Sequence, residues 1–197
     1  MDWTVYDRLA DGKSLICGVD EAGRGPLAGP VFAAAVILPY GIEIEGLNDS
    51  KKISEKKREM LFDEIIEKAV TYAITSVDNE KIDEINILEA TLLAMRTAVS
   101  QLDPLPELAL VDGNHARGFD IPAKPVIKGD ALVPSISAAS ILAKVSRDRF
   151  CIEMDEKYPE YGFKKHKGYG TKLHCEKLLE HGPCPLHRAS FLKKILP

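Results

Sequence analysis

Residues 15–30 read Leu15-Ile16-Cys17-Gly18-Val19-Asp20-Glu21-Ala22-Gly23-Arg24-Gly25-Pro26-Leu27-Ala28-Gly29-Pro30. The apolar opening predicts a strand over 14–20 that is buried on both faces. Two adjacent acids stand where that strand ends. A buried carboxylate costs several kcal/mol unless it is paired or holds a metal, so the pair marks a candidate site. Glycines and prolines crowd residues 23–30. Glycine lets main chain approach a ligand closely, and exposed N–H groups there suit phosphate oxygens.

Working outward, Val31 to Leu38 is a second apolar run and predicts a neighbouring strand. Ser54 is placed to cap a helix carrying Leu61, Ile65 and Ala69 on one face. Val70 to Val77, rich in β-branched residues, predicts a third strand. Asn86 and Glu89 have capping-box spacing before a helix with Leu88, Leu92, Met95, Val99 and Leu102 on one stripe. Pro104 and Pro106 end it. Leu108 to Val111 predicts a strand running into Asp112-Gly113-Asn114, and Pro125 to Ile127 another running into Lys128-Gly129-Asp130. A long helix is expected from Pro134 or Ser135; its Ser137-Ala138-Ala139-Ser140 segment is small enough for close backbone packing. A further helix is expected over 171–181. Strands in a meander, then alternating with helices, predict a mixed α/β sheet.

The chain has 197 residues, 45% apolar and 28% charged, which fits one compact unit with a sizeable core. No apolar run is long enough to span a membrane and the N-terminus has no signal-peptide pattern. Four cysteines, at 17, 151, 175 and 184, lack C-x-x-C spacing and read as reduced thiols of a cytoplasmic protein. The net charge of −4 means that a phosphate-bearing partner needs a local basic patch.

Acids occur at three predicted strand ends: Asp20-Glu21, Asp112 and Asp130. Each alone is an ordinary turn or cap residue, but an adjacent pair inside a glycine-rich turn is not. Carboxylates gathered at one place repel and raise each other's pKa. A divalent cation removes that conflict, and an all-oxygen ligand set suits Mg²⁺ or Mn²⁺. Such a centre suits phosphoryl transfer, where metals activate water and stabilise the leaving oxygen. Neither a G-x-S-x-G elbow nor a P-loop is present, and Ala28 stands where a dinucleotide fingerprint needs its third glycine.

Residues 161–172, Tyr161-Gly162-Phe163-Lys164-Lys165-His166-Lys167-Gly168-Tyr169-Gly170-Thr171-Lys172, hold four lysines beyond Gly162 and no acid. Lysines serve phosphates and rings stack on bases or sugars. The competing reading is a solvated run with two core aromatics. Tyr169, between two glycines, is expected to be exposed. Lys51-Lys52 forms a weaker basic patch. His174, Cys175, Cys184 and His187 could in principle hold zinc, but their spacing fits no common pattern. His115 follows the Asp112 turn.

VDEAGRGPLAGPV at 19–31, NDSKKIS at 48–54, VDGN at 111–114, KGDALVPSISAASILAKVSRD at 128–148, HKGYGT at 166–171 and HGPCPLHRASF at 181–191 together make the chain resemble the bacterial ribonuclease HII family, the type 2 ribonucleases H. The resemblance implies a ribonuclease H-like α/β fold, a five-stranded mixed sheet flanked by helices with a helical C-terminal extension. Residues 1–158 would form the catalytic body and 159–197 a substrate-binding extension of the same compact unit. The family's metal-binding, catalytic acids fall on Asp20, Glu21, Asp112 and Asp130. Its glycine-arginine-glycine motif falls on Gly23, Arg24 and Gly25 and its substrate-sensing tyrosine on Tyr169. Lys52 and Lys167 are further candidates for substrate contact. The implied reaction is hydrolysis of RNA in RNA–DNA hybrids and cleavage 5′ of single ribonucleotides in duplex DNA, leaving 3′-hydroxyl and 5′-phosphate ends, with Mg²⁺ or Mn²⁺. Water is the nucleophile and the 2′-hydroxyl a recognition handle. The alternatives are a metal-dependent DNA nuclease of the same fold and an inactive hybrid-binding protein. A monomer is expected. The segment Phe191 to Pro197 lacks the glutamine-led aromatic pair of sliding-clamp peptides, so docking on a clamp through it is not expected.

Overall fold

The computed structural model describes residues 3–47, 53–193 and 195–196. Its elements in chain order are α1 (Thr4–Ala10), β1 (Ile16–Ala22), β2 (Val31–Ile37), α2 (Glu55–Lys68), β3 (Thr71–Val77), α3 (Asn79–Ser100), β4 (Leu108–Asp112), β5 (Ala123–Val126), α4 (Gly129–Leu132), α5 (Pro134–Lys157), α6 (Phe163–His166), α7 (Lys172–His181) and α8 (Ala189–Leu192). The strands form one mixed sheet in the order β3-β2-β1-β4-β5. β1 pairs antiparallel with β2 and parallel with β4; β2–β3 is antiparallel and β4–β5 parallel. This is the five-stranded sheet flanked by helices that the sequence predicts.

Alternation along the strands sorts two cores. Cys17, Val19, Ala33, Ala35, Ala109 and Val111 face α3, meeting Leu92, Met95 and Val99. Ala34 and Val36 meet α2 and α5 through Leu61, Ile65, Ala138, Ile141 and Leu142. The small residues of α5 let it press onto β1 at Gly18. A Cβ on Gly18 would stand 2.1 Å from Ile136 N and from the Ser135 carbonyl carbon. Only glycine fits that contact.

Side-chain caps start α2, α3 and α7. Ser54 Oγ accepts the Lys57 N–H at 3.2 Å, as its capping role requires. α3 departs from expectation: it begins at Asn79, where Asp78 accepts the Lys81 N–H at 2.8 Å. Asn86 lies inside it with φ of 68°, and its Oδ1 accepts from Leu88 N and Glu89 N. Asn86 therefore caps a helix that restarts at a kink. The reciprocal half of the box is replaced by an ion pair from Glu89 to Arg117.

The last strand also differs. It covers Ala123–Val126, not 125–127. Ile127 is exposed and Lys128 takes a left-handed φ of 58°. Asp130 thus lies in the first turn of α4 rather than at a strand end. From Tyr161 onward the chain folds back over the loop after β1: Leu27 and Ala28 share a cluster with Met154, Tyr161, Phe163, Leu178 and Leu192.

Candidate active site

The parallel register aligns Val19 of β1 with Val111 of β4. The next residues, Asp20 and Asp112, therefore stand side by side on adjacent strands, about 4.8 Å apart in main-chain spacing; Asp20 and Glu21 are still paired with β2, because β1 runs on to Ala22, past the end expected at residue 20. Ligands of open α/β sheets gather at such carboxyl ends. Asp20, Glu21 and Asp112 line one cavity of about 460 Å³. Ala22, Gly23, Arg24, Gly25 and Tyr169 line it from the loops, and Arg58, Ser140, Lys144 and Arg147 from the helices.

Asp20 is buried, and its Oδ1 accepts the Glu21 N–H at 2.7 Å. Burial raises its pKa well above the usual carboxylate range, and the charges of Glu21 and Asp112 add to the rise; hydrogen bonds from Ser140 and the Glu21 amide oppose it. Burial also raises Glu21, with Asp112 adding and Arg24 opposing through a 3.4 Å contact. Asp130 does not line the cavity. It stands beside it, donating its backbone N–H to Asp112 Oδ1 at 3.2 Å. Among the described residues no three His, Cys, Asp or Glu side chains stand gathered as a metal site. The donor set nevertheless fits a hard divalent cation: these are carboxylate oxygens, and at Asp20 and Glu21 burial and the charge of Asp112 disfavour the ionised form, which a cation restores.

The glycine-arginine-glycine turn forms the cavity's rim. Gly23 has φ of 99°, and a Cβ there would meet the Arg147 side chain at 2.2 Å. A Cβ on Gly25 would lie 3.5 Å from Tyr169 Cε1, so the ring stands directly over Gly25. Tyr169 is 46% exposed, as its flanking glycines imply. Leu27 N donates to Gly168 O at 2.8 Å, joining the two loops. Tyr161 and Phe163, by contrast, are core aromatics.

Lys164 and Lys165 are exposed on α6. Lys167 is mostly covered and its Nζ lies 3.7 Å from Glu55. Lys52 lies outside the described residues. His115 reaches a smaller cavity shared with Glu21, Arg24 and Asp112. Asp83, whose spacing marks no site, caps α8 from afar by accepting the N–H groups of Ala189 and Ser190.

His174 and His187, whose spacing fits no common zinc pattern, belong to a cluster of histidine rings. His174 Nε2 lies 3.0 Å from His187 Nε2, and the His166 and His174 rings stack at 4.3 Å between centroids. The remaining ring nitrogens meet main chain: His166 at Tyr161 O and Gly168 N, His174 at Tyr169 O, His187 at Cys184 N. Burial keeps the rings neutral, with His174 pushed down to about 4. Their arrangement fixes the main chain on both sides of Tyr169.

Sequence reasoning also missed Arg188, the residue most engaged with the rim. It is fully buried, and its guanidinium donates to Gly23 O at 2.7 Å, Arg24 O at 2.9 Å, Pro26 O at 2.8 Å and Gly29 O at 2.9 Å. Carbonyl acceptors leave no mark in a sequence. The isolated signal was an arginine between His187 and a short apolar helix.

The ribonuclease HII family model matches residues 17–194. The chain belongs to the ribonuclease HII family. It is 58% identical over 188 residues to the ribonuclease HII of Caldicellulosiruptor saccharolyticus, covering 95% of this chain and 92% of that one. The ribonuclease HII of Acetivibrio thermocellus is 53% identical, with 100% of this chain and 77% of that one covered. The crystal structure of ribonuclease H2 from Pyrococcus horikoshii OT3 superposes with a TM-score of 0.76 at 29% identity, covering 92% of this chain and 97% of that one. The fold is therefore ribonuclease H-like, and the chain is a hydrolase that acts on the RNA of RNA–DNA hybrids. The family depends on a divalent metal. No helix among the described residues is long and apolar enough to cross a membrane.

Proposed function

We propose that this ribonuclease H cuts the phosphodiester 5′ of a ribonucleotide, including one embedded alone in duplex DNA, and leaves 3′-hydroxyl and 5′-phosphate ends. The observation that carries the reading is one cavity flanked by the neighbouring acids Asp20 and Asp112 on one side and by the Gly23-Arg24-Gly25 turn with Tyr169 on the other. In this reading Asp20, Glu21, Asp112 and Asp130 hold Mg²⁺ or Mn²⁺. A divalent ion bound there supplies Lewis-acid stabilisation of a phosphodiester and lowers the pKa of water.

The protein's own groups do the rest. Lys144, Arg147 and Arg58 give the cavity a cationic wall that balances its acids and draws in a phosphate. Arg24, whose side chain is 48% exposed, is free to turn from Glu21 to a phosphate in a bidentate grip. Gly23 and Gly25 bring main chain within reach of a 2′-hydroxyl, the group that separates RNA from DNA when the bases are the same. Tyr169 stacks on the adjoining sugar. Lys164 and Lys165 extend the contact along the backbone.

The test is cleavage of a duplex with one ribonucleotide beside an all-DNA control, in Mg²⁺ and in EDTA. Cleavage of the first alone, abolished by EDTA and by Asp112→Asn, is the expected result. Equal cutting of the all-DNA duplex would favour a DNA nuclease of this fold and overturn the reading.

A further inference from the structure

Arg188 is buried beneath the rim and surrounded by main-chain oxygen. Its four carbonyl partners, at Gly23, Arg24, Pro26 and Gly29, span the whole turn. The next residue of its own chain is tied down too, since Ala189 N donates to Asp83. Arg188 N itself donates to Leu27 O at 2.8 Å. Burial and the charge of Arg147 lower its pKa to about 9, which leaves it a cation at neutral pH.

The consequence follows from peptide geometry. In a trans peptide the C=O and the following N–H point in opposite directions. Carbonyls drawn inward at Gly23 and Arg24 turn the N–H groups of Arg24 and Gly25 outward. The same rule operates at Pro26: its carbonyl meets Arg188, and the following N–H, of Leu27, points away to Gly168 O. Residues 23–25 line the cavity and Arg188 does not, so the N–H groups turned away from Arg188 are the donors this turn can offer a bound oxygen. A charged donor on each carbonyl also polarises the peptide and strengthens the N–H beyond it.

We infer that Arg188 is a positioning residue that holds and polarises the Arg24 and Gly25 amides for the ribonucleotide's oxygen atoms. It touches no substrate. The inference rests on the proposed recognition of a ribonucleotide at this turn, and it assigns the turn's conformation to one buried cation supplied from the far end of the chain.

Arg188→Lys tests it. Lysine keeps a charge, but one ammonium cannot span four carbonyls as the planar fork does. In Mg²⁺ the variant should raise KM for a single-ribonucleotide duplex roughly ten- to a hundredfold, the loss expected for charged hydrogen bonds. kcat and the Mg²⁺ concentration giving half the maximal rate should hold within about threefold, because the acids are untouched. General damage to the fold would lower the active fraction and so the apparent kcat, with KM unchanged. A folded Arg188→Lys protein with wild-type KM overturns the proposal.

A second measurement needs no variant. In ¹⁵N-labelled metal-free wild-type protein, the Arg24 and Gly25 amide signals should shift more with a single-ribonucleotide duplex than with the all-DNA duplex. Signals that stay in place overturn the proposal even if every Arg188 variant misfolds. Failure of the underlying reading looks different: wild-type enzyme would then treat the two duplexes alike in cleavage, and both ideas fall.

Discussion

Gly18→Ala adds one methyl group at the place where α5 meets β1. That carbon would stand 2.1 Å from Ile136 N, 2.1 Å from the Ser135 carbonyl carbon and 2.5 Å from its oxygen. All three are main-chain atoms, so no side chain can swing aside. Restoring ordinary contact near 3.5–4 Å requires α5 and β1 to part by more than 1 Å. That displacement loosens the packing of Ile136, Ala138, Ala139 and Ile141. Overpacking usually costs about 1–3 kcal/mol, and this contact belongs at the top of that range or above it. For a chain of this size 3 kcal/mol lowers Tm by roughly 6–12 °C. Thermal unfolding followed by circular dichroism reads this directly. Gly12→Ala is the control: nothing lies within 4 Å of its added carbon, though φ is 75°. It should cost only the left-handed backbone penalty of about 1–2 kcal/mol. The same separation carries Ser140 away from Asp20, so Gly18→Ala should also lose activity without changing a single residue at the cavity. A Gly18→Ala protein melting within 2 °C of wild type would refute the close-contact argument.

Asp20→Asn should abolish cleavage while holding or raising Tm in EDTA, because it removes a buried charge beside Glu21 and Asp112; a loss of several degrees would count against the repulsion described here. Tyr169→Ala should cost about 1–3 kcal/mol of stacking and harm cleavage at a lone ribonucleotide more than cleavage of a long hybrid; equal losses would leave Tyr169 a general contact. Lys164→Ala with Lys165→Ala should flatten the log–log salt dependence of hybrid affinity, by up to about 0.9 per phosphate contact on the B-DNA scale; an unchanged slope would make both lysines solvated surface. His174 titrates near 4 when folded and near 6.5 when unfolded. The unfolded chain takes up the proton first, so its contribution is complete above pH ~6.5 and is lost as pH falls towards 4. Wild type should therefore lose Tm more steeply than His174→Gln between pH 6.5 and 4, as scanning calorimetry can show; parallel curves would contradict the neutral buried ring.

The sheet was legible because its strands are continuous apolar runs with chemistry at their ends. Cys17 and Val19 had to be buried, and the strand carries the acids beyond them on to Ala22, two residues past the predicted end. α1 was not foreseen, since it is a short segment in which only Tyr6 and Ala10 are fully covered, with Val5 and Leu9 packed beside them. Asn86 misled for a physical reason: it is a true cap, but of a helix already running from Asn79. At the candidate site Asp20, Glu21 and Asp112 could be read from strand ends and glycine context. The histidine cluster and Arg188 could not, because their partners are one another's rings or main-chain oxygens from distant segments.

The bond from Arg188 to Gly23 O joins residues 165 apart in sequence. At translation rates of about 5–20 residues per second, roughly 8–33 seconds separate the synthesis of those two residues. Throughout that interval the sheet strands already made can pair, but the turn after β1 has nothing beneath it to set its peptides. On the inference drawn for Arg188, the turn reaches its final conformation only when the segment carrying Arg188 has left the ribosome and closed over the loop after β1. A nascent chain that carries Asp20, Glu21 and Asp112 but not yet Arg188 would, on that inference, have the cavity's acids in place before the turn beside them is set.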